Sequence, residues 1–513
     1  MYQITMTYAY WRAGRHKEKA VFDLFFRKNP FKGQFTVFAG LGEVLSLLSS
    51  FSFTESDIAY LKSLMPHCED AFFEWMRRLD CKGIKVFAME EGSLCFPRIP
   101  LLRVEGPLAV AQLLETPLLN LINFPSLVAT YAARLRWAVG PDKTLLEFGL
   151  RRAQGPDGGL SASKYSYIGG FNGTSNVLAG KLIGIGVKGT HAHAFVQSYS
   201  SFNQIKISTL DGVDFVAKVK HYREELGYLH TNTSELAAFT AYALAFPDGF
   251  LALLDTYDTL QSGVPNYLCV ALALDDLGHR AVGCRLDSGD LAYLSQEVRR
   301  EVNKVAEEKR RPVLLQTNIV ASNDLNEETL HSLNDLGHSI DTFGVGTNLV
   351  TCQAQPALGC VYKLVSIEGT ARIKLSQNKS KITIPSRKWA YRLMGKDGVP
   401  LLDLLLQDGE AAPEPGKPVL CRHPFEATKR ARVTPSTVVP LHSLVWDGEA
   451  GGATKPTETI DVVRERVSKG MQEIREDTLQ RLQPTPYKVS LSESLYEFLH
   501  ELWEKEAPVR ELC

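Results

Sequence analysis

The period of hydrophobic positions changes along the chain, and these changes divide it into parts. Before residue 116, helical and strand-like segments are mixed. One helix is predicted at 57–65, where Ile58, Leu61 and Leu64 recur at three-residue spacing. Between 116 and 365, apolar runs alternate with amphipathic segments, as is typical of parallel strands joined by helices. After 365 the pattern is β-rich and more polar, and two helices close the chain.

The expected domain boundaries follow these changes. We predict an N-terminal α+β part at 1–115, an α/β barrel that carries catalysis at 116–365, and a C-terminal β-rich and helical part at 366–513. The third part contains a loop rich in Pro, Gly and Glu at 408–418 and then helices near 459–482 and 491–505.

The clearest α/β signal lies between 248 and 350. Four apolar runs there each end in a polar or Gly-rich cluster: FLALLDTYDT, AVGCRLDSGD, VLLQTNIVASND and SIDTFGVGT. A helix is predicted after the second run, with one face formed by Leu291, Leu294, Val298, Val302 and Val305. A shorter helix is predicted after the third run, with Asn326 as its N-cap and Gly337 at its end. Its buried face is expected to be formed by Leu330, Leu333 and Leu336. In an α/β barrel the carboxyl ends of the strands line one mouth, where the chemistry takes place.

Composition narrows the class of protein. A chain of 513 residues, 44% hydrophobic and 22% charged, is expected to fold as two or three packed units. Its formal net charge of -1 gives no support to a nucleic-acid-binding face, which needs clustered Lys and Arg. No apolar stretch approaches the ~20 residues that cross a bilayer. We therefore expect no nucleic-acid partner and no membrane insertion.

The cysteines indicate the compartment. There are 9 of them, an odd number, and none forms a CxxC pair. This pattern favours a reducing compartment, and together with the absence of a signal-peptide pattern it predicts the cytosol. Cys269 and Cys284 are expected to be small core residues inside strands.

RLDSGD at 285–290 is the densest cluster of chemically useful residues. Arg285 offers a planar guanidinium suited to a carboxylate or a phosphate, and Asp287 and Asp290 could hold a metal ion or order a hydroxyl. Ser288 and Gly289 form a turn before the helix, where backbone N–H groups favour anions. An Arg–Asp ion pair followed by a helix cap is the alternative interpretation of the same residues.

Three other segments carry weaker signals. FGVGT at 343–347 favours a phosphate-binding turn, because Gly344 and Gly346 allow close approach and the Thr347 hydroxyl adds a donor, although a plain strand-to-helix turn is the alternative. RRAQGPDGG at 151–159 places two guanidiniums before an expected loop. Asp255 of LLDTYDT is a weaker candidate for a metal or ribose contact.

GTHAHAF at 189–195 carries two histidines in alternation. In a strand, His191 and His193 would share one face. Zinc is disfavoured, because the sequence suggests no third ligand. A nucleophilic or acid–base histidine and a structural histidine are the two interpretations that remain.

Taken in order, these segments resemble the nicotinate phosphoribosyltransferase family. The matching motifs are EFGLRRAQGPDGG, GGFNGTSNVLAG, GTHAHAF, LLDTYDT, GCRLDSGDL and FGVGTNLVT, and YQITMTYAYW extends the resemblance to the start of the chain. Six motifs in order are far more specific than any one of them. The resemblance implies formation of nicotinate mononucleotide and pyrophosphate from nicotinate and 5-phospho-α-D-ribose 1-diphosphate with ATP hydrolysis, the first step of NAD synthesis from nicotinate.

The resemblance also implies an architecture. We expect a type II phosphoribosyltransferase fold, an irregular α/β barrel joined to a second α+β domain formed by both chain ends. A head-to-tail homodimer with active sites shared at the subunit interface is implied as well. Mg²⁺ or Mn²⁺ is the expected cofactor, and ATP the co-substrate.

Residue roles follow from matching positions. By resemblance, His193 is the histidine that ATP phosphorylates, and Tyr2 is an aromatic that reaches the nicotinate ring from the neighbouring subunit. Thr190 and Arg285 match residues that contact nicotinate, and Thr347 matches a residue that contacts the sugar-phosphate substrate. Arg151 and Phe148 match the phosphate-binding Arg and the ring-stacking Phe of the related nicotinamide enzymes.

The chemistry of the reaction agrees with these residue types. Cleavage of the bond from ribose C1 to pyrophosphate leaves positive charge on the sugar and negative charge on the leaving group. Mg²⁺ and guanidiniums suit the pyrophosphate and a carboxylate such as Asp287 suits the ribose, with Asp255 and Asp290 as weak candidate metal ligands. A phosphoryl group on His193 adds nearly two negative charges and would reorder the loop that grips the substrate.

Substrate choice depends on 171–176. The nicotinamide-using relatives carry an aspartate in this segment, whereas here it reads FNGTSN. A carboxylate would repel nicotinate, so neutral Ser175 with Arg285 favours the acid over the amide. Nicotinamide phosphoribosyltransferase is the nearest alternative, and quinolinate phosphoribosyltransferase would need a denser Arg/Lys cluster. An inactive homologue that binds nucleotide or a protein partner is the alternative from another class.

One departure from the family concerns the start. Family members carry a further segment with a Thr-Asp pair before the tyrosine, whereas this sequence starts at Met1-Tyr2. Truncation and alternative initiation are the two interpretations. Either would leave Tyr2 at a terminus expected to fray.

Overall fold

The computed structural model describes residues 1–508 and divides the chain into two compact units. The first combines Met1–Ala133 with the segment that begins at Ala354, and the second is Arg134–Gln353. These boundaries differ from those expected at 115 and 365. The periodicity that starts near 116 belongs to the long helix Glu115–Val139, which contains the first boundary, and the apolar run at 360–367 is a strand of the first unit.

The first unit contains two larger sheets. One has seven strands in the order Thr370–Ala371, Cys360–Ile367, Lys19–Phe26, Leu102–Pro107, Lys85–Ala88, Ser443–Asp447, Gly452–Ala453. Lys19–Phe26 is buried over most of its length and pairs antiparallel with Cys360–Ile367 and with Leu102–Pro107. Strands from both chain ends therefore share one sheet, which confirms the second α+β domain formed by both ends.

The other sheet of this unit is formed by the C-terminal part of the chain. Its six strands lie in the order Arg430–Val433, Val419–Arg422, Val489–Leu491, Pro400–Gln407, Lys388–Met394, Thr437–Pro440. A small apolar core on it contains Leu393, Leu402, Leu404, Leu406 and Cys421. The expected loop at 408–418 contains no strand or helix.

Helices and short elements complete the first unit. The helices are Tyr2–Arg12, Leu41–Ser50, Glu55–Leu64, Asp70–Met76, Leu108–Leu113, Ile460–Glu473, Glu476–Leu479 and Glu493–Glu506, with a 3-10 turn at Lys379–Lys381 and a strand pair of Thr36–Val37 and Leu94–Cys95. The helix predicted at 57–65 begins with a capping box between Thr54 and Asp57 and buries Ile58 and Leu61. Leu64 is instead 47% exposed, because it ends the helix.

The second unit is built on six parallel strands. Their order is Leu251–Leu253, Gly283–Leu286, Asn318–Ala321, Thr342–Val345, Thr144–Glu147, Gly173–Thr174. The irregular segment 187–191 contacts both edges of this sheet: Val187 bridges Thr174, and the Thr190 hydroxyl donates to the Leu251 carbonyl at 2.9 Å. The sheet is therefore closed by a segment that is not a regular strand, and the irregular α/β barrel is confirmed.

Helices surround these strands. They are Gly155–Ile168, Val177–Ile183, His193–Gln197, Phe215–Glu225, Thr233–Ala245, Val264–Asp275, Leu291–Glu308, Glu327–Leu336 and Thr347–Val350, with 3-10 turns at Leu150–Arg152, Phe202–Gln204, Pro247–Gly249 and Pro312–Gln316, a π-helical turn at Thr259–Gly263, and a small hairpin of Thr209–Leu210 and Val213–Asp214. The four apolar runs of 248–350 are neighbouring strands, as predicted. Asn326 caps its helix, accepting from the Thr329 N–H at 2.9 Å, and Gly337 has φ +78°.

Four predictions about local structure were wrong. Cys269 is buried in a helix rather than a strand, and Leu336 is 69% exposed because its helix ends there. Residues 155–168 form a helix with Pro156 in its first turn, so the Gly-rich segment is not a long loop. His191 and His193 do not share a strand face, because His193 begins a helix. Among residues 1–508, no helix combines the length and apolar character needed to span a membrane.

Candidate active site

The carboxyl ends of the six parallel strands lie at one edge of the sheet, and a cavity of about 560 Å³ opens there. Its lining comes from several strand ends and includes Phe148, Arg151, Arg152, Arg285, Asp287, Ser322, Asp324, Gly344, Gly346 and Thr347. The three guanidiniums outnumber the two carboxylates, so the cavity favours an anionic ligand.

Arg285 is held in this cavity by a closed triangle of contacts. Its Nε donates to Ser322 Oγ at 2.7 Å and one terminal nitrogen donates to Asp287 Oδ1 at 3.0 Å. The Ser322 hydroxyl in turn donates to Asp287 Oδ1 at 2.7 Å. The guanidinium carbon lies 5.8 Å from the centre of the Phe148 ring. A charged fork is thus fixed beside an aromatic face, an arrangement suited to a flat anionic ring.

His193 lies among carboxylates. Its Nδ1 is 3.0 Å from Thr256 Oγ1, and its Nε2 is 3.8 Å from Asp287 Oδ2 and 4.0 Å from Asp255 Oδ1. The side chain is 40% exposed, so a ligand can reach the ring.

His191, two residues earlier, has a different environment. It is buried among aromatic rings, its Nε2 accepts from the Leu253 N–H at 3.3 Å, and burial lowers its pKa to about 4. It is therefore the structural histidine of the two, and His193 is the accessible one.

Asp255 ties two strand ends together. Its Oδ2 accepts from the Asp287 backbone N–H at 3.0 Å and from the Ser288 hydroxyl. Its Oδ1 is buried and has no hydrogen-bond partner. Within residues 1–508, no three His, Cys, Asp or Glu side chains are grouped closely enough to hold a metal ion by themselves. A cation here would need further oxygens, such as those of a phosphorylated substrate and water, which is how Mg²⁺ is commonly bound.

The two glycines of FGVGT, Gly344 and Gly346, have different surroundings. A Cβ on Gly344 would lie 2.4 Å from Phe148 Cδ2, so this glycine makes room for the ring. At Gly346 a Cβ would meet only ordinary contacts, and the residue precedes the helix Thr347–Val350. The Thr347 hydroxyl accepts from Arg152 Nη1 at 3.0 Å, which joins the second guanidinium of RRAQGPDGG to this turn.

Comparison with known proteins identifies the chain. A family model described as the nicotinate phosphoribosyltransferase N-terminal domain matches residues 1–123, and the C-terminal domain of the same family matches 387–499. Nicotinate phosphoribosyltransferase 1 of Arabidopsis thaliana is 53% identical over 527 residues, covering 100% of this chain and 94% of that protein. The Homo sapiens nicotinate phosphoribosyltransferase is 45% identical, covering 99% and 96%.

The chain belongs to the nicotinate phosphoribosyltransferase family.

Solved structures agree with this assignment. The crystal structure of human nicotinic acid phosphoribosyltransferase matches with a TM-score of 0.88 at 44% identity and covers 98% of this chain and 99% of that one. The nicotinate-nucleotide pyrophosphorylase of Pyrococcus furiosus has a TM-score of 0.61 at 21% identity over 92% and 94% of the two chains, which shows a shared fold.

The structure brings most of the residues that match nicotinate phosphoribosyltransferase motifs to the barrel mouth, but not all act there in the same way. Asp290 caps the helix Leu291–Glu308, accepting from the Tyr293 N–H at 3.1 Å. The alternative interpretation of RLDSGD, an ion pair followed by a cap, is therefore also present. Thr190 uses its hydroxyl to hold the barrel edge. Tyr2, in the first unit, is 54% exposed and begins the first helix.

Sequence reasoning missed Glu147, the last residue of its strand. It is fully buried and accepts from the Gly149 N–H, from Thr174 Oγ1 at 2.5 Å and from Ser163 Oγ at 2.9 Å, while its carbonyl accepts from the Ser175 N–H at 2.9 Å. Glu147 thus fixes the segments that carry Phe148 and Ser175. The signal available was a carboxylate at the end of an apolar strand, directly before Phe-Gly.

Ser322 was missed as well, and Arg152 was noted only as one of two guanidiniums and was given no role of its own. Ser322 follows the third strand of the series, at the position where neighbouring strands carry Asp255 and Asp287, so the strand-end rule could have found it. Arg152 stands next to a residue that we did select.

Proposed function

We propose that this chain transfers the 5-phosphoribosyl group of 5-phospho-α-D-ribose 1-diphosphate to nicotinate, forming nicotinate mononucleotide and pyrophosphate with hydrolysis of ATP. This is the first step of NAD synthesis from nicotinate. The observation that carries the proposal is the fixed Arg285 beside the Phe148 ring, in a positively charged cavity of a chain that belongs to the nicotinate phosphoribosyltransferase family.

Charge development explains the arrangement. As the bond from C1 to pyrophosphate breaks, negative charge grows on the leaving group and positive charge on the ribose. Arg151 and Arg152 are exposed to the cavity and suit the phosphate groups, with the Thr347 hydroxyl as a further contact. The carboxylate of Asp287 suits the ribose. Because Arg152, Thr347 and Asp287 are already held by protein contacts, little reorganisation of these three groups is needed in the transition state.

A divalent cation fits this site. The unpartnered Oδ1 of Asp255 and the carboxylate of Asp287 are hard oxygen donors and would hold Mg²⁺ or Mn²⁺ together with substrate phosphates. The cation would neutralise charge that develops on the pyrophosphate. Asp290 is less suited to this role, since its carboxylate caps a helix.

ATP enters the proposal through His193. The ring is accessible, and the Thr256 hydroxyl contacts Nδ1 and orients it. In our proposal, a ring nitrogen of His193 attacks the γ-phosphorus of ATP, ADP leaves, and water later hydrolyses the phosphohistidine. A phosphoryl group beside Asp255 and Asp287 would be repelled by both carboxylates, which is a further reason to expect a cation there.

The acid is favoured over the amide. Arg285 provides a positive charge at the ring site, and Ser175 and Asn176 are neutral where nicotinamide-using relatives carry an aspartate. Nicotinate in this site would pair its carboxylate, whereas nicotinamide would leave part of the charged fork without an anion. We therefore propose nicotinate as the substrate, with Thr190 as a neighbouring contact.

We also propose a homodimer with shared active sites. The helix Val177–Ile183, directly after Ser175, exposes Val177 at 71%, Leu178 at 52% and Leu182 at 60%. Apolar residues grouped in this way are typical of a protein contact, and a second copy of the chain is the partner that we propose. Tyr2 is then a candidate to reach the partner's ring site. The eight cysteines that the structure describes are free thiols, which supports the cytosol as the compartment.

Product analysis tests the function. Purified protein is given 5-phospho-α-D-ribose 1-diphosphate, Mg²⁺ and either nicotinate or nicotinamide, with and without ATP, and mononucleotide is measured by mass spectrometry. We expect nicotinate mononucleotide, strong stimulation by ATP, and loss of activity in Arg285→Ala. Arg299→Ala is the matched control, because Arg299 pairs with Asp341 at 2.8 Å and does not line the cavity. Preferential use of nicotinamide, or substrate binding without product, would contradict the proposal.

A further inference from the structure

Glu235 is a fully buried carboxyl outside the residues assigned above. It lies in the first turn of the helix Thr233–Ala245. Its Oε2 accepts from Ser262 Oγ at 2.5 Å and from Asn266 Nδ2 at 2.9 Å, while its Oε1 is buried without a hydrogen-bond partner. Burial, together with the smaller effect of the nearby Asp255 and Asp258 charges, raises the pKa of this carboxyl to about 7. Burying a carboxyl group costs free energy, so the presence of Glu235 at this position suggests that it has a role.

The contacts of Glu235 lead to the loop that holds His193. Ser262 belongs to the π-helical turn Thr259–Gly263, and the Ser262 and Gly263 N–H groups donate to the Asp258 carbonyl at 3.1 and 2.9 Å. The Asp258 carboxylate accepts from the Leu260 and Gln261 N–H groups at 3.1 and 2.7 Å. Four backbone N–H groups of the turn are therefore bound to Asp258, and π-helical turns are frequently found at functional sites.

The turn is also pressed against the start of the same loop. A Cβ on Gly263 would lie 2.0 Å from the Leu254 carbonyl oxygen, so the backbones at the two ends of 254–263 are in direct contact. Asp255 and Thr256 lie between these ends, and Thr256 Oγ1 is 3.0 Å from His193 Nδ1. Movement of the turn would be transmitted to the hydroxyl that orients the histidine.

We infer that Glu235 is a positioning residue for the reaction: by fastening the π-helical turn through Ser262 and Asn266, it sets the place of Thr256 and Asp255 relative to His193. The inference rests on the proposed function, because it assigns Glu235 to the phosphorylation and transfer steps of that site. Glu235 is fully buried, is not part of the cavity lining and accepts its hydrogen bonds from Ser262 and Asn266, not from His193. Its effect is on the geometry of Thr256 and Asp255.

Three variants test the inference. Glu235→Ala removes both accepted hydrogen bonds, and we expect kcat and the single-turnover rate of His193 phosphorylation by labelled ATP to fall by about tenfold to a hundredfold, as for a displacement of catalytic groups on the order of 1 Å. The KM for nicotinate should stay close to wild type, because the ring site around Phe148 is untouched. Glu235→Gln should restore most of the rate, since its amide oxygen can accept from the same two donors.

The third variant is a control on the same helix. Thr240 is fully buried and its hydroxyl donates only to the Leu236 carbonyl, at 2.7 Å, so Thr240→Val disturbs the helix without touching the turn. It should keep wild-type kcat and phosphorylation. Melting temperatures of all variants are compared, and if Glu235→Ala does not fold, Ser262→Ala replaces it.

The outcomes separate the two claims. Unchanged kcat and phosphorylation in Glu235→Ala would overturn the inference, and so would equal losses in Glu235→Ala and Glu235→Gln or equal losses in Thr240→Val. If the wild-type protein makes no nicotinate mononucleotide, the proposed function fails, while the rate of His193 phosphorylation still decides the role of Glu235. If the wild type makes product without phosphorylation, only the ATP step fails, and kcat decides.

Discussion

Gly344→Ala is a sharp test of how the barrel builds its ring site. The added Cβ would lie 2.4 Å from Cδ2 and 2.6 Å from Cε2 of Phe148, whereas carbon atoms in favourable contact are about 3.5–4.0 Å apart. The two groups must therefore separate by about 1 Å. Ser322 Cβ, at 3.3 Å, would crowd the added atom further. The ring is the part that can move, since it lines the open cavity.

The expected effects follow from that displacement. Overpacking of this kind costs about 1–3 kcal/mol of stability. A ring displaced by about 1 Å should raise the KM for nicotinate by about tenfold or more, with a smaller change in the KM for 5-phospho-α-D-ribose 1-diphosphate. Urea denaturation gives the first quantity and initial-rate kinetics the second. Gly186→Ala is the control, because its Cβ would meet only the Asn172 carbonyl oxygen, at 3.8 Å.

A double-mutant cycle isolates the cause. If Phe148 is what the new methyl group meets, the stability cost of Gly344→Ala should largely disappear in a Phe148→Ala background, giving a coupling energy on the order of 1–3 kcal/mol. The reasoning is refuted if Gly344→Ala costs the same in both backgrounds. In that case the glycine is needed for backbone conformation or for contact with Ser322, and not for the ring.

Three further predictions concern other parts of the site. Ser322→Ala removes one hydrogen bond to Arg285 and one to Asp287, and a hydrogen bond with a charged partner contributes about 1.5–3 kcal/mol. We therefore expect kcat/KM to fall by at least about tenfold. An unchanged kcat/KM would show that the triangle of contacts around Arg285 is not needed. Asp290→Ala should lower the free energy of unfolding by about 0.5–2 kcal/mol, because the helix loses its N-cap. The Mg²⁺ concentration for half-maximal activity should not change. An increase in that concentration would indicate that Asp290 is a Mg²⁺ ligand after all. Burial lowers the pKa of His191 to about 4, below the value of about 6.5 in the unfolded chain. The unfolded chain therefore binds a proton at higher pH than the folded protein does. The free energy of unfolding should fall, by up to about 3 kcal/mol, as the pH drops from about 6.5 to 4. Urea denaturation at several pH values should show this slope in the wild type and a smaller one in His191→Gln.

The parallel strands and the position of the site were predictable from the sequence because one physical rule fixes both. An apolar run of strand length followed by polar residues indicates a buried strand and its carboxyl end together, and the runs ending at Asp255, Asp287, Ser322 and Thr347 proved to be neighbours. The N-cap at Asn326 was predictable for a similar reason, since a cap is a local contact within four residues.

What the sequence could not give was set by tertiary packing. Cys269 stands in YLCVALAL, an apolar run that is compatible with a buried helix and with a buried strand. In the structure this run is part of the helix Val264–Asp275 and not of the sheet. His191 and His193 have similar local surroundings in the sequence. Only the fold places one among aromatic rings and the other beside carboxylates. Glu147 and Glu235 were missed because their partners lie many residues away.

The first unit has a consequence for how the chain is made. Lys19–Phe26 leaves the ribosome early, but one of the two strands that flank it, Cys360–Ile367, is synthesised only after the whole barrel of Arg134–Gln353. During that interval the early strand has an unsatisfied row of backbone donors and acceptors on one side, which is a template for wrong pairing. Newly made chains should therefore need a chaperone for their N-terminal segment, while the barrel, continuous in sequence, can form its own sheet first.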